Sequence, residues 1–171
     1  MRPRAAFIAF FVATAALAVG RLSADDAESK DAGKVELKSA TMADLDKHVA
    51  AQKGKPVAMD VWATWCVPCR EKFPKFVALA GKHKDKASFL SLTIDETEQM
   101  ADAKKFLEKS KATFPNFLAK EGAEAVEKKF GFEGVPQYVL WEDGKVVMKT
   151  DDVTKLEAKL KELIADKKGD K

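Results

Sequence analysis

ATWCVPCR, residues 63–70, holds both cysteines of a 171-residue chain, two residues apart. Two thiols so placed, with none elsewhere, admit three chemistries: half of a metal site, a structural staple, or a redox pair. A zinc site needs about four ligands, commonly as two close pairs. The only histidines, His48 and His83, lie far apart in lysine-rich helical stretches and read as surface residues. A staple gains stability with the length of loop it closes, and this loop is among the shortest a protein uses. The third chemistry also explains the neighbours. VAMDVWA (57–63) reads as a buried strand entering the motif, and REKFPKFVALAGKH (70–83) is helical in composition. A cysteine at the mouth of that helix meets unpaired N–H groups and the positive end of the helix dipole, both of which favour thiolate. Cys66 is then the nucleophile. Cys69, one turn on, is placed to resolve the mixed disulfide that Cys66 forms.

Working outward, Thr41 reads as the N-cap of a helix to about Lys53, with Met42, Leu45 and Val49 along one face. Val35–Leu37 reads as a short first strand and SFLSLTI (88–94) as a second buried one. Pro74 should kink the helix that follows the motif. Asp95 and Glu98 resemble a capping box for a helix to about Ser110, with Met100, Ala103 and Leu107 inward. FPNFLA is short and extended; AEAVEKKFG is a two-turn helix stopped by Gly131. VPQYVLWEDGKVVMKT (135–150) is a hairpin turning through Asp143-Gly144, and a final helix spans about Val153 to Ala165. The class is α/β, a central mixed sheet flanked by helices.

The N-terminus must be set apart. Arg2 and Arg4 precede an uncharged apolar run, and RLSADDAESK then turns polar, the layout of a secretory signal with cleavage after Ala18 or Ala24. The run falls short of the roughly 20 residues that span a bilayer. The domain expectation is therefore a signal peptide or anchor over 1–24, a linker over 25–34, one globular domain over 35–165 and a polar tail over 166–171, with the chain exported, periplasmic or otherwise extracytoplasmic, and anchored by residues 5–20 if the leader is retained. Without Arg2, Arg4 and Arg21 the 30 basic residues fall to 27, equal to the 27 acidic ones. A balanced, well-mixed surface with no basic stripe argues against nucleic acid.

Trp65-Cys66-Val67-Pro68-Cys69 after a buried strand resembles the active site of the thioredoxin superfamily. Asp60, six residues before Cys66, Pro74 in the following helix, and Gly134-Val135-Pro136 before a strand match other features of that family. The long stretch between Cys69 and Pro136, with TIDETEQMADAKKFLEKSKATFPNFLA, resembles the helix-and-strand segment of the exported TlpA/ResA-like branch. The resemblance covers about residues 35 to 165. It implies a thioredoxin-like fold with a helix–strand insertion before a cis-proline strand, and an enzyme, a protein disulfide reductase or thiol–disulfide oxidoreductase. It assigns Cys66 and Cys69 to catalysis with Asp60 as their proton partner. Trp65, Val67, Pro68, Val135 and Pro136 would meet the substrate, with Trp65 exposed and Trp62 packed. Gln137 follows Pro136 where many relatives carry threonine, and Asp60 is a feature of thioredoxin proper more than of the TlpA/ResA branch. Arg70, the one arginine beyond the leader, reads as solvated.

No metal or organic cofactor is implied. The implied partners are protein disulfides, apocytochrome c or copper-site proteins among them, and a membrane thiol electron donor. The alternatives are a metal- or thiol-binding module without turnover, a disulfide oxidase, or a thiol peroxidase on the same fold. The peroxidase pattern Pro-x-x-x-Thr-x-x-Cys does not occur around either cysteine.

Overall fold

The computed structural model describes residues 33–52 and 54–167. The leader expected over 1–24, nearly all of the linker and the end of the tail lie outside the described residues. The elements run β1 (Lys38–Ala40), α1 (Met42–Ala51), β2 (Val57–Trp62), α2 (Val67–His83), β3 (Ser88–Thr93), a 3₁₀ turn (Thr97–Gln99), α3 (Met100–Ser110), β4 (Asn116–Ala119), α4 (Gly122–Phe130), β5 (Gln137–Glu142), β6 (Lys145–Thr150) and α5 (Val153–Asp166).

A single six-stranded sheet has the order β1-β4-β3-β2-β5-β6. The pairs β1/β4, β4/β3 and β3/β2 are parallel, whereas β2/β5 and β5/β6 are antiparallel. The sheet is thus mixed and the fold thioredoxin-like, with α3 and β4 as the additional helix and strand before β5. All six residues of β2 are buried, as a strand covered on both faces requires. Its side chains alternate between two cores. Met59 and Val61 join Leu45, Leu90, Leu107 and Val126 in one; Ala58 joins Phe76, Leu79, Tyr138, Leu140, Leu156 and Leu160 in the other.

The local signals translate directly. Thr41 caps α1 in a reciprocal box with Asp44. Asp143 and Gly144 take φ of 47° and 78°, the pair of positive values that a two-residue hairpin turn needs. Pro74 lies inside the unbroken α2 and leaves the Arg70 carbonyl without its helical donor. Three expectations need correction. The first strand is Lys38–Ala40, not Val35–Leu37, because its register is set by pairing with Phe117–Ala119 of β4. The box at the start of the third helical segment is formed by Glu96 and Gln99, while Asp95 turns inward. The two histidines are half-buried rather than superficial. His48 packs edge-on to Phe117, with centroids 5.2 Å apart, and burial lowers its pKa. Among the described residues no helix is long and apolar enough to cross a membrane.

Below the redox motif, Phe73 of α2 is fully buried and its ring lies 5.2 Å from both Trp62 and Phe106. Phe73→Ala is expected to cost about 3–5 kcal/mol, the usual price of emptying a buried aromatic site. Urea unfolding should show a lower midpoint at unchanged slope.

Candidate active site

The site forms where the carboxyl ends of β2 and β3 meet the loop before β5. Cys66 is the N-cap residue of α2, with extended φ and ψ of −84° and 101°. Its Sγ stands where a serine or aspartate oxygen usually accepts a first-turn amide, and it accepts the Cys69 N–H at 3.2 Å. The Cys66 amide donates to the Ala63 carbonyl at 3.2 Å, closing the turn into the helix. Cys66 and Cys69 are joined in a disulfide, the oxidised form of the pair. Both sulfur-bearing residues are buried, while their neighbours Trp65 and Val67 are 58% and 53% exposed. Pro68 and Arg70 are also exposed. An apolar collar therefore surrounds a sulfur pair that is itself almost covered.

The second wall is the loop from α4 to β5. The Val135–Pro136 peptide is cis, and the Val135 carbonyl oxygen lies 3.5 Å from Cys66 Sγ. Pro136 is buried and Val135 half-buried. The β2–β5 ladder ends at Val61–Gln137, so Val135 lies beyond the sheet with its backbone on the cysteine side. Trp65, Val67 and Pro68 thus flank the cysteines in sequence at the start of α2, the Val135 carbonyl stands against Cys66, and Cys69 and Pro136 are buried.

Asp60 occupies a different layer. It sits in the middle of β2, directly across from Tyr138 on β5, and is 1% exposed. Its Oδ1 has no hydrogen-bond partner among the described residues, nor do the Tyr138 hydroxyl and the Trp62 indole nitrogen. Burial pushes the Asp60 carboxyl well above the usual carboxylate range, and the Lys72 cation offsets this only in part. Lys72 Nζ itself donates to the Asp151 carbonyl at 3.0 Å. Burial, and secondarily the field of Asp60, raise Tyr138 as well.

Asp95 is the structural residue that the motif reading missed. It is 2% exposed, and its carboxylate accepts the Thr64 amide at 3.0 Å and the Thr64 hydroxyl at 2.7 Å, along with the Thr93 hydroxyl. Thr64 is two residues before Cys66, so Asp95 anchors the segment that delivers the nucleophile. The signal was present in the strand register. Trp62 of β2 aligns with Thr93 of β3 in parallel, so residues two steps past each strand emerge together. The assignment of Asp95 to a helix cap hid that pairing. Among the described residues no cluster of three or more His, Cys, Asp or Glu is arranged to hold a metal ion.

A family model described as Redoxin matches residues 27–164. A thioredoxin from Alicyclobacillus acidocaldarius subsp. acidocaldarius is 29% identical over 93 residues, which cover 54% of this chain and 84% of that one. The thiol–disulfide oxidoreductase ResA of Bacillus thuringiensis subsp. konkukian is 33% identical over 97 residues, 56% of this chain and 54% of ResA, so the match spans about half of that relative. A crystal structure of a putative thiol:disulfide interchange protein DsbE from Chlorobium tepidum superposes with a TM-score of 0.57 at 26% identity, covering 70% of this chain and 84% of that one.

Two outcomes are expected at this site. Asp95→Ala strands the Thr64 amide and two threonine hydroxyls and should cost about 3 kcal/mol of unfolding free energy, read by chemical denaturation. Asp60→Asn should stabilise the oxidised protein at neutral pH, on the order of 1–3 kcal/mol. Because the folded-state pKa of Asp60 is raised, the folded chain holds a proton that the unfolded chain releases, and stability falls as pH rises from the unfolded pKa through the folded one. The advantage of the variant should therefore vanish near pH 3 to 4, about the unperturbed aspartate pKa, in denaturation curves collected as a function of pH.

Proposed function

The chain belongs to the Redoxin family and is a thiol–disulfide oxidoreductase with a Cys66–Cys69 couple; from that premise we propose that it is exported and reduces disulfides of partner proteins. The observation that carries the reading is Cys66 Sγ at the start of α2, accepting the Cys69 amide and facing the Val135 carbonyl behind an exposed Trp65. After reduction, the same amide and the helix dipole favour the Cys66 thiolate over the thiol.

The thiolate attacks one sulfur of a client disulfide, and the other client sulfur leaves as a thiolate that takes up a proton. A mixed disulfide then joins Cys66 to the client. Cys69 loses its proton through the neutral Asp60 carboxyl, which takes that proton on one oxygen as it releases its own from the other, and attacks Cys66 Sγ. The Cys66–client bond breaks, the second client thiol departs, and the Cys66–Cys69 disulfide forms. Two electrons pass to the client, and an external dithiol restores the couple. Trp65, Val67 and Pro68 form one lip of the client surface. Val135, placed beyond the sheet by Pro136, offers its backbone to an extended client segment on the other.

The leader pattern over 1–24 supports work outside the cytoplasm, with 25–34 as linker, 35–165 as the working domain and 166–171 as tail. A membrane thiol carrier is the fitting electron donor there. Apocytochrome c or copper-site proteins are the client classes that the resemblance to the TlpA/ResA-like branch implies. The first test is the reduction potential of the couple in glutathione or dithiothreitol buffers. A value near that of thioredoxin, about −270 mV, is expected of a reductant. A value near about −120 mV would make the protein a disulfide donor and end the reductase reading. Cys66→Ser should abolish disulfide reduction, and Cys69→Ser should accumulate the mixed disulfide, seen as a mass adduct.

A further inference from the structure

We infer that Glu127 is a positioning residue for client recognition, holding the loop that presents the Val135 backbone beside Cys66. The inference rests on the reading that client proteins exchange disulfides at this site.

The loop from α4 to β5 runs from Gly131 to Pro136, and amides of three of its residues end on one residue of α4. The Gly131 and Phe132 amides donate to the Glu127 carbonyl at 2.7 and 3.2 Å, and the Gly134 amide donates to Glu127 Oε1 at 2.9 Å. The first two bonds are the ordinary closure of a helix end through a left-handed glycine, here with φ of 64°. The third has no such origin, since the carboxylate reaches seven residues forward in sequence. Gly134 takes φ of 70°, and among the described residues the side of the turn where a Cβ would stand is open. The near end of the loop is fastened by the stacked rings of Phe130 and Phe132 and by Phe130 against Trp141. The far end, next to the Val135 carbonyl that lies 3.5 Å from Cys66 Sγ, is fastened by the carboxylate.

An ionised acceptor makes a stronger hydrogen bond than a neutral one and orients the amide it holds. Glu127 is only half-buried. Its side chain therefore governs where the loop stands more than whether the domain folds. Removing that side chain leaves both main-chain bonds to the Glu127 carbonyl in place, so a substitution isolates the tether. A client strand must pair with Val135 to bring its disulfide onto Cys66, whereas a small disulfide reaches Cys66 without that pairing.

The test compares wild type, Glu127→Ala and Glu127→Gln on reduced insulin formation and on a small aromatic disulfide (DTNB). For Glu127→Ala, kcat/KM on insulin should fall about 3–10-fold, the range set by one lost hydrogen bond, with the change in KM. DTNB reduction should stay at the wild-type rate. Glu127→Gln, whose amide oxygen still accepts, should recover the insulin rate. Hydrogen exchange at the Gly134 amide should quicken several-fold in Glu127→Ala alone. An alanine variant that matches wild type on insulin, or that loses equally on DTNB, overturns the inference while leaving the reductase intact. Wild-type protein that reduces neither disulfide removes the reductase reading and this inference with it.

Discussion

The parallel register of β2 against β3 is the constraint on which the site depends. Trp62 aligned with Thr93 brings the two strand ends out at one edge of the sheet, and Ile94 donates to the Trp62 carbonyl at 3.0 Å to continue the alignment past the strands. Everything that approaches Cys66 from the β2 side inherits its position from this pairing: Thr64 meets Asp95, and the turn through Ala63 aims Cys66 at the start of α2. The antiparallel pairing of β2 with β5 does the same from the other side, carrying Pro136 and Val135 to that edge. A strand buried on both faces cannot slip by one residue without turning its apolar set into the wrong cores, which holds the geometry in place.

Two buried carboxylates near this edge have opposite circumstances. Asp95 is covered, but three donor groups surround its oxygens, so its charge is compensated and it acts as an anchor. Asp60 is covered and, among the described residues, has one oxygen without a partner and the Lys72 field to offset burial. A carboxyl so placed favours its neutral form, and holding it costs folding energy. The fold thus carries one acid whose burial is offset by donors and another whose burial is not.

Much of the fold was legible because its signals are local. Thr41 with Asp44, Asp143-Gly144, and Gly131 after Phe130 each describe a cap or turn whose geometry depends on a few adjacent residues. The redox pair was legible for the same reason: two cysteines one helical turn apart at a strand–helix junction carry their own chemistry. Where reading failed, the deciding partner was distant. The first strand was displaced because β4, 79 residues along at Lys38–Phe117, sets its register. Asp95 looked like a helix cap because its actual partner, Thr64, is 31 residues away.

By itself the sequence determined the class of chain, the sulfur chemistry at Cys66 and Cys69 and the caps and turns between elements, since periodicity, capping and thiol spacing are properties of neighbouring residues. The tertiary structure decided which groups face the sulfurs. It brought the Val135 carbonyl to Cys66, gave Thr64 to Asp95, set Asp60 opposite Tyr138 with one oxygen lacking a donor among the described residues, and turned Glu127 toward Gly134. Those choices follow from strand order and register, which minimise exposed apolar surface over the whole chain and cannot be read from any one segment of it.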